Sequence, residues 1–265
     1  MNREKIMSGY ILCQTPVADR PFFISNIQMN IYSLEELCYF LRHNLYLVDQ
    51  TIMCEDLCRW ISQELALTSL ASKLKDSLGK YAGPEDFLYP IFKEINYLSY
   101  EELRALRTEL EVYDARTPQD RMSHRGDAFM GNHMYLRAID VYEKCLAQLD
   151  PEEMKIRRRV LHNLGVAYTR LFLMNQASDY FRQAYELSHD ISEGVACVLA
   201  FRPEHTPIEY ENLILDLEDS DQIRQEAEKE LARFARIPET PVYTQHVDEI
   251  LDRLMSEYHH SMAEP

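Results

Sequence analysis

The chain is poor in glycine, poor in cations and free of long apolar runs. Only seven of its 265 residues are glycine. With frequent Leu, Glu, Ala, Arg and Tyr, that composition favours helices over sheets. No glycine-rich phosphate loop and no GxSxG elbow occur, so the usual marks of nucleotide and acyl-transfer chemistry are missing. Lys and Arg number 28 against 44 Asp and Glu, a formal net charge of −16. An acidic surface repels phosphate backbones and anionic lipid, which argues against nucleic acid and membranes as partners. No apolar stretch approaches the ~20 residues of a membrane span, and no signal-peptide core precedes residue 30. The six cysteines are scattered among apolar neighbours, so reduced, buried thiols and a cytoplasmic setting are expected.

What is present is enough apolar material for a core, 46% of residues, and an uneven distribution of charge. Residues 1–83 carry eight cations against nine anions, residues 84–203 fifteen against nineteen, and residues 204–265 five against sixteen. The acidic last third suits solubility or a basic partner. Strand character is confined to the N-terminus, where GYILCQTP (9–16) and RPFFISNIQMNIYS (20–33) predict a short hairpin or pair of extended segments. Ser33-x-x-Glu36 then reads as a capping box opening a first helix, and two short helices fit 53–65 and 68–78, with Gly79 as a stop. Gly83-Pro84 marks a boundary, giving a small α+β module over 1–83 and a helical domain over 84–265, whose last part, 204–265, forms acidic capping helices.

From Pro84 onward the punctuation is regular. Pro84, Pro118, Pro151 and Pro207 each fit a helix first turn, and Thr117, Asp150 and Thr206 precede three of them as N-caps. Ser99-x-x-Glu102 is a second capping box. The expected helices are 84–96, 100–115, 118–131, 135–149, 151–172, 175–188, 191–202, 207–217, 220–236 and 244–260. Short helices joined by short turns call for a search for internal repetition.

Gly165 is followed by Tyr168, Ala177, Phe181 and Ala184, and Gly126 by Phe129, Ala138, Tyr142 and Cys145, at the same four offsets. Leu161 and Leu164 complete the second copy; in the first, Met122 and Arg125 stand in their places. A glycine inside a helix costs ~1 kcal/mol against alanine, so its place here predicts a close helix–helix approach. Ala177 and Ala184 serve that approach from the facing helix, and Tyr168 and Phe181 fill the remaining volume. The two glycines are 39 residues apart. Asp150-Pro151-Glu152-Glu153 is read as starting the helix before Gly165 early, so that helix should run unbroken from Pro151 and exceed the usual length by about one and a half turns.

On these residues the stretch 119–190 resembles the tetratricopeptide repeat, a helix–turn–helix unit of 34 residues. The whole chain is also similar to repeat proteins of anaerobic Gram-positive bacteria that begin with an ILCQTP segment, which implies no activity. The repeat resemblance implies a mostly α fold: a superhelical stack of α-hairpins, joined here to the α+β module. It also implies a concave groove lined by the first helix of each hairpin. Carried over by position, the groove residues are Arg159, His162, Val166, Thr169 and Arg170 in the second copy, and Asp120, Ser123, Asp127, Met130 and Gly131 in the first. The family members that clamp C-terminal carboxylates place Asn after the glycine; Val166 and Asp127 stand there, which does not support that activity.

Arg157, Arg158, Arg159 and Arg170 form a basic cluster that reads either as a carboxylate contact or as a solvated face paired with Glu152, Glu153 and neighbouring acids. Cys54 and Cys58 share a helix face, with Cys13, Cys38 or His43 as the candidates to complete a metal set, but core packing fits that spacing better. Phe22 and Phe23 either pack on the first helices or present an edge to a partner. His259 and His260 are read as inert. The expectation is therefore a non-catalytic adaptor or scaffold that binds a protein or peptide, without cofactor or metal, with a homo-oligomer left open. The first alternative is a peptide-responsive sensor whose helices over 33–79 engage a second partner; the near-neutral charge there argues against DNA. The second is an enzyme with an unrecognised site.

Overall fold

In the computed structural model, the described residues are 15–79, 84–234 and 251–255. The protein is mostly α, with one small antiparallel sheet near the N-terminus. Strands β1 (Phe22–Ile24) and β2 (Met29–Ile31) pair with Phe22 opposite Ile31 and Ile24 opposite Met29. Both strands thus come from the single stretch 20–33; residues 9–14 lie outside the described residues. Asn26 in the turn is buried and donates to the Leu47 carbonyl at 3.1 Å, tying the hairpin to the helices below it. Phe22 is half-buried against Trp60, whereas Phe23 is exposed. The Trp60 indole N–H donates to the Arg20 carbonyl at 2.7 Å, so the strand lead-in is pinned to the next helical layer.

Helices α1 (Leu34–His43), α2 (Glu55–Gln63) and α3 (Thr68–Gly79) follow, with a 3-10 turn over Leu45–Leu47. Ser33 caps α1 by accepting from the Glu36 N–H. The Glu36 carboxylate accepts from the Tyr32 N–H instead of the Ser33 N–H, so the predicted box closes one residue upstream. Helix α4 (Pro84–Glu94) carries Pro90 in its interior. Proline has no N–H for the Asp86 carbonyl four residues back. The Ser77 hydroxyl from α3 lies 3.2 Å from that carbonyl and 3.1 Å from the Lys73 carbonyl of its own helix, so its one proton is shared between the two acceptors. The predicted boundary at Gly83 lies outside the described residues, but buried apolar side chains run continuously from Ala18 to Ala167 across that point.

Then come α5 (Tyr100–Ala115), α6 (Pro118–Gly131), α7 (Tyr135–Gln148), α8 (Met154–Arg170), α9 (Met174–Ser188), α10 (Ile191–Phe201), α11 (Pro207–Leu215) and α12 (Ser220–Phe234). Ser99 forms the predicted capping box and Thr117 the predicted cap of α6, while Thr206, predicted as an N-cap, closes a complete box with Glu209. Helix α8 does not begin at Pro151. Asp150 to Glu153 close a turn in which the Glu153 N–H donates to the Asp150 carbonyl and the Glu153 carboxylate accepts from the Asp150 N–H. Proline favours the second place of such a turn as readily as a helix first turn. Helix α8 is therefore 17 residues long against 14 for α6, and part of the extra spacing sits in the turn. Of the helix expected at 244–260, the described part is a helical turn over 251–255.

Helices α6/α7 and α8/α9 form two hairpins with the same inner contact. The bare Cα of Gly126 faces the ring of Tyr142, and that of Gly165 faces the ring of Phe181. Ala138, Ala177 and Ala184 are fully buried on the facing helices. A third glycine, Gly194 in α10, meets Ile223 of α12 in the same manner. The turns repeat as well. The Met134 N–H donates to Phe129 and the Leu173 N–H to Tyr168, each closing its helix with a left-handed residue, His133 (φ 58°) and Phe172 (φ 59°). For a large side chain that conformation costs ~1–2 kcal/mol. Phe172 is 80% exposed and recovers little of that cost by burial. Phe172→Asn, which tolerates the left-handed region, is expected to raise stability by roughly 1 kcal/mol in urea denaturation; an unchanged or lower midpoint would show that the ring holds the turn.

Candidate binding groove

Helices α6 and α8 pack against each other, the expected groove positions fall along these two, and α8 meets α10 through His162 and Glu193. Asp120, in the first turn of α6, receives Arg116 Nη1 at 2.5 Å and, from α8, Arg159 Nη2 at 2.6 Å. Arg159 Nε reaches the buried Ser123 hydroxyl at 3.2 Å. Burial alone would raise the Asp120 carboxyl, but the hydrogen bonds from Arg116 and Arg159 outweigh it and hold the group below its usual range. Asp127 accepts from the Tyr142 hydroxyl at 2.6 Å and from Asn163 at 2.7 Å. It thereby satisfies the one polar atom of a fully buried tyrosine, whose ionisation burial and Asp127 both push up.

His162 Nδ1 lies 2.8 Å from Glu193 of α10, a carboxylate only 3% exposed. Arg158 completes that cluster with Asp190 at 3.4 Å and Glu193 at 3.9 Å. Arg157 donates to the Leu149 carbonyl at 3.0 Å. The predicted basic cluster is thus divided. Three arginines are spent on structure, with partners other than Glu152 and Glu153, and Arg170 alone stands exposed without a partner among the described residues. Thr169 back-bonds to the Gly165 carbonyl at 2.8 Å.

Arg170 borders an open groove of about 660 Å³ between α8 and α10. Its walls are Val166, Phe172, Phe181, Leu199 and Pro203, with Tyr135 and Thr169 as polar rim, and no acid lines it. Val166, Thr169 and Arg170 were legible as groove positions; Phe172 and the α10 wall were not. Met130 and Gly131, the remaining first-copy positions, lie outside that lining. A larger depression of about 750 Å³ lies between Tyr46 and α5, where Arg42 is held by both oxygens of Glu109 at 2.9 Å. Among the described residues no three His, Cys, Asp or Glu side chains converge to hold a metal, and Cys38 and Cys58 are wholly buried. Cys13, His259 and His260 lie outside the described residues. No described helix is long and apolar enough to cross a membrane.

No family model, curated protein or solved structure matches the chain.

His162 and His124, which both lie outside the groove lining, titrate in opposite senses. The hydrogen bond to Glu193 raises His162 against the effect of burial, whereas burial, Arg159 and Arg116 lower His124. A raised histidine contributes stability that is full below its unfolded value of 6.5 and is lost as pH rises through its folded value. A lowered one makes stability fall as pH drops below 6.5. The stability difference between wild type and His162→Gln is therefore expected to shrink from pH 6 to pH 8 in urea titrations, and that between wild type and His124→Gln to change with the opposite sign. Parallel pH curves would mean that the Glu193 contact is not made.

Proposed function

We propose that the protein is a non-catalytic adaptor of the tetratricopeptide type, acting in the cytoplasm, that binds a peptide or a protein segment in the groove between α8 and α10. The observation that carries the reading is the contrast between Arg170 and its neighbours. In a chain with a net charge of −16, Arg157, Arg158 and Arg159 are each bound internally, while Arg170 has no partner among the described residues and stands beside apolar walls. An uncompensated guanidinium at the rim of an apolar groove matches a segment with a carboxylate next to apolar side chains. Phe172 supports it: a large ring is kept exposed on the groove wall in a conformation that an asparagine would adopt at lower cost.

The test is selection from a random peptide library displayed on phage, followed by affinity measurement on synthetic hits. Peptides carrying an acid beside apolar residues are expected. Arg170→Glu and Val166→Glu are each expected to weaken binding at least tenfold, a loss of about 1.4 kcal/mol. Arg104→Glu, on the exposed side of α5, should leave it unchanged. Hits that bind both groove variants as well as wild type would overturn the groove.

A further inference from the structure

A second cationic place lies away from the α8/α10 groove. The α6/α7 hairpin and the turn between β1 and β2 enclose a cleft of about 330 Å³. Arg125 of α6 and Arg137 and Lys144 of α7 line it, and among the described residues Asp140 is the one acid that does. The chain as a whole has 44 acids against 28 cations. Three cations against one acid, a local charge of +2, runs counter to that balance.

The three cations are held differently. Arg125 is positioned in advance: its Nη2 donates to Asp49 at 2.6 Å, and its guanidinium lies 5.8 Å from the Phe129 ring centroid. Asp49 is itself fixed by the Thr51 N–H at 2.9 Å and by the Asn26 amide at 3.3 Å. A guanidinium has five N–H donors, and Asp49 takes one of them. Arg137 is half-buried and has no partner among the described residues. Lys144 reaches Asp140 at 2.7 Å, one turn away on its own helix, and both side chains are more than half exposed. Such a pair contributes little and is readily exchanged for a better acceptor. Arg137 and Lys144 stand seven residues apart, about 10 Å along the α7 axis, with Arg125 facing them from α6.

Beside these cations, Met122, Phe129 and Val141 form an apolar wall. The cleft therefore offers fork-shaped and point donors with an excess charge of +2, next to a surface that takes carbon. A phosphate monoester supplies the complement in one group: a charge of about −1.5 to −2 at neutral pH and three strong acceptor oxygens. A lone carboxylate carries half the charge and two oxygens. The acidic remainder of the surface repels a long polyanion. A small ligand meets only the charges within about 8 Å at physiological salt.

We propose that this cleft binds a small phosphate monoester, with the phosphate on Arg125, Arg137 and Lys144 and the carbon part on the wall of Met122, Phe129 and Val141. The site is separate from the peptide groove and does not rest on that reading. The probe is phenyl phosphate, titrated calorimetrically into the full chain at physiological ionic strength. Two comparison compounds are phenyl sulfate, of the same shape with one charge fewer, and inorganic phosphate, which lacks the carbon part. Phenyl phosphate is expected to saturate one site per chain, and each comparison compound to bind at least tenfold more weakly. Arg137→Gln and Lys144→Gln should each weaken phenyl phosphate at least tenfold. Both variants should unfold in urea at the wild-type midpoint, which separates lost binding from lost folding. Arg170→Glu should leave phenyl phosphate binding unchanged. An absence of saturable binding, or unaltered binding by the two cleft variants, would overturn the proposal. Equal binding of phenyl sulfate would overturn the charge match, and equal binding of inorganic phosphate the assignment to an ester. Loss of binding in Arg170→Glu alone would place the anion in the α8/α10 groove and overturn this site. Any of these failures leaves the peptide reading of that groove to its own test.

Discussion

The arrangement depends on a place where a side chain is missing. Gly126, Gly165 and Gly194 each present a bare Cα to a large buried side chain on a facing helix: Tyr142, Phe181 and Ile223. A methyl group on Gly165 would lie 2.6 Å from Cε1 of Phe181, closer than packed carbon atoms allow. The glycine costs ~1 kcal/mol of helix propensity. In return the ring seats flat against the backbone, and the hairpins close tightly enough to stack. No hairpin of this size buries its apolar face alone, so the stacking is what covers it.

That stacking also decides the electrostatics. Arg159 and Asp120 are 39 residues apart, the same interval as Gly165 and Gly126, so they hold equivalent positions on adjacent helices and meet there at 2.6 Å. Half-exposed pairs of this kind are worth ~0–1 kcal/mol each, too little to hold the stack together. What they do is consume charge. Each internal partner withdraws a cation from the surface, and the groove is left with Arg170.

The glycine and aromatic pattern, the proline and threonine punctuation, and hence the two hairpins, were legible because they are local and periodic. Three features were not, for separate physical reasons. The third glycine contact is hidden because a 3-10 turn and α11 come between Gly194 and Ile223, stretching a 16-residue interval to 29. The start of α8 was misplaced because proline serves a turn and a helix first turn equally well. The division of the arginine cluster depends on which acids the neighbouring helices present, and that is a property of the stack, not of residues 157–170. The pairing of Arg159 with Asp120 was within reach, since both were assigned to matching groove positions.

The central claim, that glycine serves close approach and not chain flexibility or binding, is tested by comparing two glycines of the same repeat system. Gly165 faces a ring, while Gly131, at the end of α6, has open space around it and an ordinary negative φ. Gly165→Ala should lower stability by roughly 1–3 kcal/mol in urea denaturation, the cost of overpacking. Gly131→Ala should leave it unchanged or raise it by up to ~1 kcal/mol through helix propensity. Equal effects of the two substitutions would contradict the account.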